Sequence, residues 1–135
     1  MSAGERVAAR DLTPSQTEDL KRAVRLAEDD SSLSFSLYLG AAEGNPRAFA
    51  EKLHATLVNP ENAVLVLCDP QRRVLEIVTG DEARRHVTDA DCKLAAVGMA
   101  ASFADGDLVG GLSAGLLQLG RDARKPRLLH VTDEA

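Results

Sequence analysis

Apolar residues recur with a helical period near the start of the chain. Leu20, Val24 and Ala27 follow one another at steps of four and three, which places them on one face of a helix. Thr13 precedes a proline, the arrangement of an N-cap before the first helical position. The pattern predicts an amphipathic helix over about 14–28, ended by the polar run that follows it.

The apolar pattern then predicts a strand followed by a second helix. Over residues 33–39 apolar and polar side chains alternate, which is the period of a half-buried strand. After a loop, Asn45 and the proline that follows it repeat the helix-start signal, and Phe49, Leu53 and Leu57 continue at steps of four. This second helix is expected to end before the next Asn-Pro pair, because a residue before proline avoids the helical backbone region.

A hairpin is predicted in the middle of the chain. Residues 63–68 are apolar throughout, as in a central strand buried on both faces. Residues 69–71 have the composition of a turn, and 74–78 form the returning strand. Gly80 ends the hairpin.

A third helix is predicted to begin after Thr88. Asp89 and Asp91 fall in its first turn, where carboxylates oppose the positive end of the helix dipole. An Asp-Gly pair at 105–106 stops it. Its broad apolar surface is formed by Leu94, Val97, Met99 and Ala101.

A fourth helix follows, marked by four leucines at helical spacing. Gly111 and Gly115 within it are expected to permit close packing against the sheet or the third helix, at a cost in helix propensity. The leucine face could instead extend to the surface of a partner, as in a homodimer. The four leucines are Leu108, Leu112, Leu116 and Leu119.

The order helix-strand-helix-strand-strand-helix-helix predicts an α/β fold. A strand-helix-strand crossover makes the first two strands parallel, and the hairpin adds an antiparallel partner. The expected architecture is a three-layer α/β/α sandwich with a small mixed β-sheet. The predicted division is a flexible lead over 1–11, a single domain over 12–120 and a charged, flexible tail over 121–135.

Composition excludes several classes of protein. The net charge of -5 leaves no electrostatic footprint for nucleic acid, and 3% aromatic residues give few platforms for stacking bases. The N-terminus lacks the apolar core of a secretory signal, and no apolar run approaches the roughly 18 residues of a membrane span. Two cysteines, Cys68 and Cys92, do not make a disulfide framework. We therefore expect a cytoplasmic protein.

The candidate metal ligands are four acids around the start of the third helix. Asp81, Glu82, Asp89 and Asp91 could converge and supply oxygen ligands for Ca²⁺ or Mg²⁺. The competing interpretation makes them helix-dipole residues and solvated loop charges, and the two arginines at 84–85 favour it. We expect no cofactor on this interpretation.

Three other groups have weaker signals. Asp69 is expected at the opposite end of the hairpin from the four acids. His86, Asp89 and Cys92 lie on one side of the helix start and could bind zinc, but the sequence offers no fourth ligand. An exposed histidine and a packed cysteine are therefore the favoured interpretation. His54 is expected to be a partly exposed helix residue rather than a general base.

The order of motifs resembles the TPM domain of bacterial membrane-associated proteins and a plant thylakoid-lumen protein. The hairpin AVLVLCDPQRRVLEIVTG, the acidic helix start HVTDADC and the glycine-spaced SFADGDLVGGLSAGLLQLG match in order, as does the opening DLTPSQTEDLKRAV. More narrowly, the chain looks like a compact actinobacterial branch whose members have unknown function. It departs from better-known members after Gly80, where they often carry a second glycine and a glutamate. The resemblance implies an α/β/α fold and, from some members, calcium binding or acid phosphatase activity.

Three functional classes follow. The first, which we favour, is a non-catalytic accessory or protein-interaction module, either monomeric or homodimeric, with an unknown protein partner. The second is a metal-dependent phosphatase-like hydrolase, and the third is a calcium-binding module. The second and third need the four acids to surround one site.

Overall fold

The computed structural model describes residues 12–124 and contains, within that range, four α-helices and one three-stranded sheet. The predicted lead over 1–11 and most of the predicted tail lie outside the described residues. The order of elements is the predicted one. The elements are α1 (Pro14–Ser31), β1 (Ser34–Leu39), α2 (Pro46–Ala55), β2 (Ala63–Asp69), β3 (Val74–Thr79), α3 (Asp89–Ala104) and α4 (Leu108–Arg124).

The sheet has the order β1-β2-β3, with β2 in the centre. β1 runs parallel to β2, with Leu37 opposite Val66, and β3 runs antiparallel to β2, with Ile77 opposite Val66. The mixed sheet predicted from the helical crossover and the hairpin is confirmed.

The central strand is buried at every position because helices cover both of its faces. Val64 and Val66 pack in a core with α1, α3 and α4. Leu65 and Leu67 point the other way and pack with α2. Successive strand residues face opposite sides, so one apolar run supplies both cores. The result is the predicted α/β/α sandwich.

Two helices begin at capping boxes. The N–H of Gln16 donates to Thr13 Oγ1 at 3.0 Å, and the N–H of Thr13 donates to Gln16 Oε1 at 2.9 Å. Thr88 and Asp91 form the same reciprocal pair at the start of α3. Each box satisfies N–H groups that a helix start leaves without intrahelical partners, so both predicted starts are confirmed.

Glycines bring α3 and α4 close together, as predicted. A Cβ on Gly111 would lie 2.7 Å from the Cβ of Ser102, and one on Gly115 would lie 2.1 Å from the Cε of Met99. Both distances are shorter than van der Waals contact, so only glycine fits at this spacing between the helices. The partner of these glycines is α3 rather than the sheet.

Some boundaries differ from the prediction. α1 continues through the polar run to Ser31, whose Oγ donates to Ala27 O, and ends where Ser32 adopts a left-handed conformation with φ 65°. α4 continues to Arg124, past the predicted domain end at residue 120. Near this end, Arg124 forms an exposed ion pair of 3.9 Å with Asp30 of α1.

Candidate functional site

The segment between β3 and α3 carries the first two predicted metal ligands. Asp81 and Glu82 precede a one-turn 3-10 helix and are exposed. Asp81 forms an ion pair with Arg84 at 3.2 Å, and Glu82 forms one with Arg85 at 3.6 Å. Glu82 also lies 4.0 Å from the Nε2 of His86. The two adjacent arginines thus neutralise the acids of the segment in which they lie.

The other two predicted ligands belong to the start of α3. Asp91 Oδ2 accepts from the N–H of Thr88 at 3.0 Å, and Asp89 is exposed in the first turn. Both carboxylates oppose the positive end of the helix dipole there. Within the described part of the chain, no group of three or more His, Cys, Asp or Glu side chains is placed to hold a metal ion.

Asp69 lies at the far end of the hairpin, as predicted, and has a structural role. It is 2% exposed. Its Oδ2 accepts from the N–H of Ala42 at 3.0 Å, and its Oδ1 accepts from the N–H groups of Gln71 and Arg72 at 3.2 and 3.3 Å. Arg72 Nη1 in turn donates to the carbonyl of Ala42. This network ties the loop after β1 to the hairpin turn.

Neither thiol is poised for nucleophilic chemistry. Burial, with a smaller contribution from Asp89 and Asp91, raises the pKa of Cys92 to about 11. Burial and the neighbouring Asp69 raise the pKa of Cys68 to about 12. Since the thiolate is both the nucleophile and the metal ligand, these thiols stay protonated and unreactive near neutral pH.

The prediction for His54 is wrong, because this side chain is buried. Its Nε2 lies 3.0 Å from the carbonyl of Ala63, at the start of β2. A carbonyl only accepts, so Nε2 carries the proton and donates. The histidine joins α2 to the central strand and has no access to a substrate.

The feature that sequence reasoning missed is the solvent-facing side of α3. Leu94 is 71% exposed and Val97 is 67% exposed; both belong to the broad apolar surface predicted for this helix, whose solvent-facing side the sequence did not assign. Their neighbours on the same side are small, uncharged and exposed. We define the α3 face as Ala90, Leu94, Val97, Gly98 and Ala101.

The spacing of the α3 face is that of a helix–helix seam. Ala90, Leu94, Val97 and Ala101 recur at steps of four, three and four, the spacing with which two helices interlock. The opposite side of α3, with Ala95 and Met99, is already buried against the core. From Leu94 onward, α3 therefore carries apolar or small residues on all sides, a composition typical of a buried helix.

Gly98 lies in the middle of this face without any contact that requires it. A Cβ added there meets no atom within 4 Å, in contrast to the glycines of α4. Glycine in a helix interior costs roughly 1 kcal/mol relative to alanine. Packing within the described part of the chain gives no reason for this cost.

The sequence shows that α3 is rich in apolar residues but does not show which side of the helix is exposed. Apolar residues surround α3, so its periodicity does not indicate which side faces the core. The side with Leu94 and Val97 becomes distinguishable from the side with Ala95 and Met99 only once α4 and β3 cover the latter. Among residues 12–124, no helix is both long enough and apolar enough to cross a bilayer.

The fold and its surface define a small α/β/α domain with an exposed apolar helix. The chain belongs to the family described as "Domain of unknown function (DUF5130)", which matches residues 1–119. It is 30% identical over 78 residues to the uncharacterized protein Rv2468c of Mycobacterium tuberculosis strain H37Rv, and to the uncharacterized protein MT2543 of strain CDC 1551. The match covers 58% of this chain and 47% of each relative, so it spans about half the length of these curated relatives.

Two solved structures share the fold. The NMR structure of the BA42 protein from Bizionia argentinensis has a TM-score of 0.72 at 20% identity, over 83% of this chain and 81% of that one. The N-terminal domain of the cg2496 protein from Corynebacterium glutamicum has a TM-score of 0.70 at 14% identity, over 88% and 80% of the two chains. At these identities the likeness shows the fold alone.

Proposed function

We propose that the domain is a protein-interaction module without chemistry of its own, and that it binds through the α3 face. The observation that carries the proposal is the exposure of Leu94 and Val97, at 71% and 67%. A side chain of this size gains roughly 1.5–3 kcal/mol when a partner removes it from water. The five residues of the α3 face carry no charge, and the exposed Lys93 at its edge lines the pocket beside β3, so a partner on the face desolvates few charges.

Gly98 supports a helix as the partner element. Two helices approach most closely where a side chain is missing, and a Cβ at Gly98 would meet no atom of residues 12–124 within 4 Å. A partner helix that crosses here would explain a glycine that otherwise only weakens α3. The small Ala90 and Ala101 leave room on either side of the crossing, while Leu94 and Val97 supply the buried area.

The occupant that matches this face is a second copy of the chain. The face is uncharged and repeats at steps of four and three, so two copies related by a twofold axis offer each other complementary surfaces. One helix face is smaller than the roughly 800 Å² per partner of a standard interface, so we expect a weak dimer with a dissociation constant of about 10 μM to 1 mM.

The state of the acids supports this function over the metal-dependent ones. A calcium module or a phosphatase-like hydrolase needs Asp81, Glu82, Asp89 and Asp91 around one ion. Instead Asp81 and Glu82 pair with arginines, and Asp91 completes a capping box. The raised pKa values of Cys68 and Cys92 further disfavour a thiol nucleophile.

The TPM resemblance is part of the same proposal. The order of elements that the resemblance implies, with a hairpin followed by two packed helices, is the order found along the chain. We infer that the family is a compact branch of the TPM-like domains that has kept the fold and uses it for binding.

Light scattering after size-exclusion chromatography, with loading concentrations from about 10 μM to 1 mM, tests the proposal. The average mass is expected to rise toward that of a dimer with concentration in the native protein. Leu94→Lys should keep the monomer mass at every concentration. Val58→Lys is the matched control, since Val58 is 90% exposed and lies after α2, away from the α3 face. A native protein that stays monomeric at 1 mM, or a Leu94→Lys variant that still dimerises, would contradict the proposal.

A further inference from the structure

The two edge strands of the sheet, β1 and β3, differ in how their outward-facing backbone groups are hydrogen-bonded. Along β3, Arg47 Nη1 donates to the carbonyl of Ile77 and Arg84 Nη2 donates to the carbonyl of Thr79, each at 2.9 Å. These carbonyls face away from the sheet, where a further strand would otherwise bond. Guanidinium groups over outward-facing carbonyls protect an edge strand from pairing with another chain.

The edge formed by β1 has no such protection over most of its length. Gly40 donates its N–H to Cys68 of β2, so alternate residues back along β1 face outward. At the first of these, the N–H of Phe35 donates to Glu28 Oε2 at 2.9 Å. Within residues 12–124, no group bonds the outward N–H and C=O of Leu37 and Leu39. The strand edge is thus open at these two residues.

An apolar groove of about 520 Å³ lies beside this open edge, between β1 and α1. The side chains of Leu37 and Leu39 line it from the strand, and those of Leu20 and Val24 line it from the helix. Leu20 belongs to the core, so the groove has a fixed floor. A strand edge next to an apolar groove and a helix is the arrangement by which domains bind extended peptides as an added strand.

Two cations stand on the rim of the groove. Lys21 and Arg25 lie one helical turn apart on α1, and both are exposed. Lys21 is 3.7 Å from Glu18, an exposed pair of the kind that contributes little. Charges within about 10 Å of a bound peptide attract or repel its own charges at ordinary ionic strength. The rim therefore favours an acidic segment over a basic one.

We propose that β1 accepts an extended acidic peptide of a partner protein, with apolar residues at alternate positions, as an added strand. The backbone of the peptide bonds the free N–H and C=O groups of Leu37 and Leu39, and its apolar side chains enter the groove against Val24. Carboxylates of the peptide lie near Lys21 and Arg25. This site is independent of the α3 face, because it uses different elements on a different edge of the molecule.

Fluorescence anisotropy with the full chain tests the proposal. The probe is a fluorescein-labelled nine-residue peptide of alternating valine and glutamate. Two comparison peptides carry lysine in place of glutamate, or N-methyl groups on alternate backbone nitrogens. The acidic peptide is expected to bind at least tenfold more tightly than either of them, because lysine meets the cationic rim and N-methylation removes donors to the strand. Equal binding of the N-methylated peptide, or no binding of the acidic one at 1 mM, would overturn the proposal.

Charge variants show whether the peptide binds at this groove. Arg25→Glu should weaken binding of the acidic peptide at least fivefold. Lys52→Glu is the matched control, because Lys52 is exposed on α2 and the change in charge is the same. It should leave the affinity within twofold. Equal weakening by both substitutions would mean that only the net charge matters, and the site assignment would be wrong.

Amide hydrogen exchange of the full chain identifies the occupant of the edge. The N–H groups of Leu37 and Leu39 should exchange rapidly in the free protein and at least tenfold more slowly when the acidic peptide is bound. Slow exchange of both amides in the free protein, unchanged by peptide, would mean that the chain itself covers the edge, for example with residues 1–11. That result would overturn binding of a partner peptide.

Discussion

Replacing Gly98 by alanine is predicted to stabilise the monomer and weaken the dimer. Within the monomer, the added methyl group meets no atom within 4 Å, so it introduces no clash. Alanine is favoured over glycine in a helix interior by roughly 1 kcal/mol. For a domain of this size that free energy corresponds to a rise in melting temperature of about 3–5 °C.

The same methyl group is predicted to harm the assembly. If a second α3 crosses at Gly98, the two helices must separate or shift to accommodate the methyl groups. Overpacking of a close contact typically costs about 1–3 kcal/mol, so the dissociation constant should rise at least about fivefold. Stability and association should therefore change in opposite directions with one substitution.

Two measurements and one control are needed to separate these effects. Melting curves are recorded at about 5 μM, where the protein is monomeric. At high concentration, dimerisation of the folded chains would itself raise the melting temperature. Sedimentation equilibrium reports association. Ala100→Gly, at an exposed position of α3 outside the α3 face, should lower stability by roughly 1 kcal/mol and leave association unchanged. A Gly98→Ala variant with a higher melting temperature and unaltered association would refute the role given to this glycine.

Other residues give further predictions. Asp69→Ala should lower the free energy of unfolding in urea by about 3 kcal/mol, since three backbone donors lose their acceptor, and Asp69→Asn should lower it less. Gly120→Ala should cost at least about 2 kcal/mol in the same assay, because its Cβ would lie 2.7 Å from the Cα of Ala27. The pKa of Cys92 is raised to about 11, so the folded state holds the thiol proton more tightly than the unfolded state does. The resulting stabilisation is complete below pH 9.0 and is lost as the pH rises through about 11. In urea unfolding between about pH 8 and 11, the free energy of unfolding of Cys92→Ala should therefore fall less than that of the native protein. Millimolar Ca²⁺, Mg²⁺ or Zn²⁺ should move the melting temperature by less than about 1 °C, and a larger rise that Asp89→Asn removes would establish a metal site.

Local signals in the sequence were sufficient for most of the fold. The capping pairs at Thr13 and Thr88 fix the starts of α1 and α3 within the adjacent few residues, and the uniformly apolar β2 can only be a central strand. The crossover and the hairpin then determine which strands are parallel. Each of these predictions depends on residues close together in the chain.

The remaining features depend on contacts between distant residues. At the polar end of α1, Asp30 forms an exposed ion pair with Arg124 of α4, a contact between residues that are far apart in the sequence. His54 is buried between α2 and the central strand, where the carbonyl of Ala63, nine residues away, accepts a hydrogen bond from it and offsets the cost of burial. The adjacent arginines, unexplained by sequence, neutralise two acids, and Arg84 also covers the outward carbonyl of Thr79.

The exposed side of α3 is the feature of the site that sequence could not assign. Leu94 and Val97 have the same apolar character as Ala95 and Met99, so no periodicity distinguishes the face in solvent from the face in the core. Packing of α4 against α3 decides between them. For the four acids the sequence left two interpretations, helix-dipole and solvated loop charges or a shared cation, and in the structure Asp81 and Glu82 pair with Arg84 and Arg85.

Binding through the α3 face is tested residue by residue with a series of ¹H–¹⁵N correlation spectra of the native chain between about 20 μM and 1 mM. The α3 face is predicted to show the concentration-dependent shifts, at the amides of Ala90, Leu94, Val97, Gly98 and Ala101. The amides of α2 should not move. Spectra that are unchanged over this range, or shifts that fall on other elements and spare α3, would contradict binding through the α3 face.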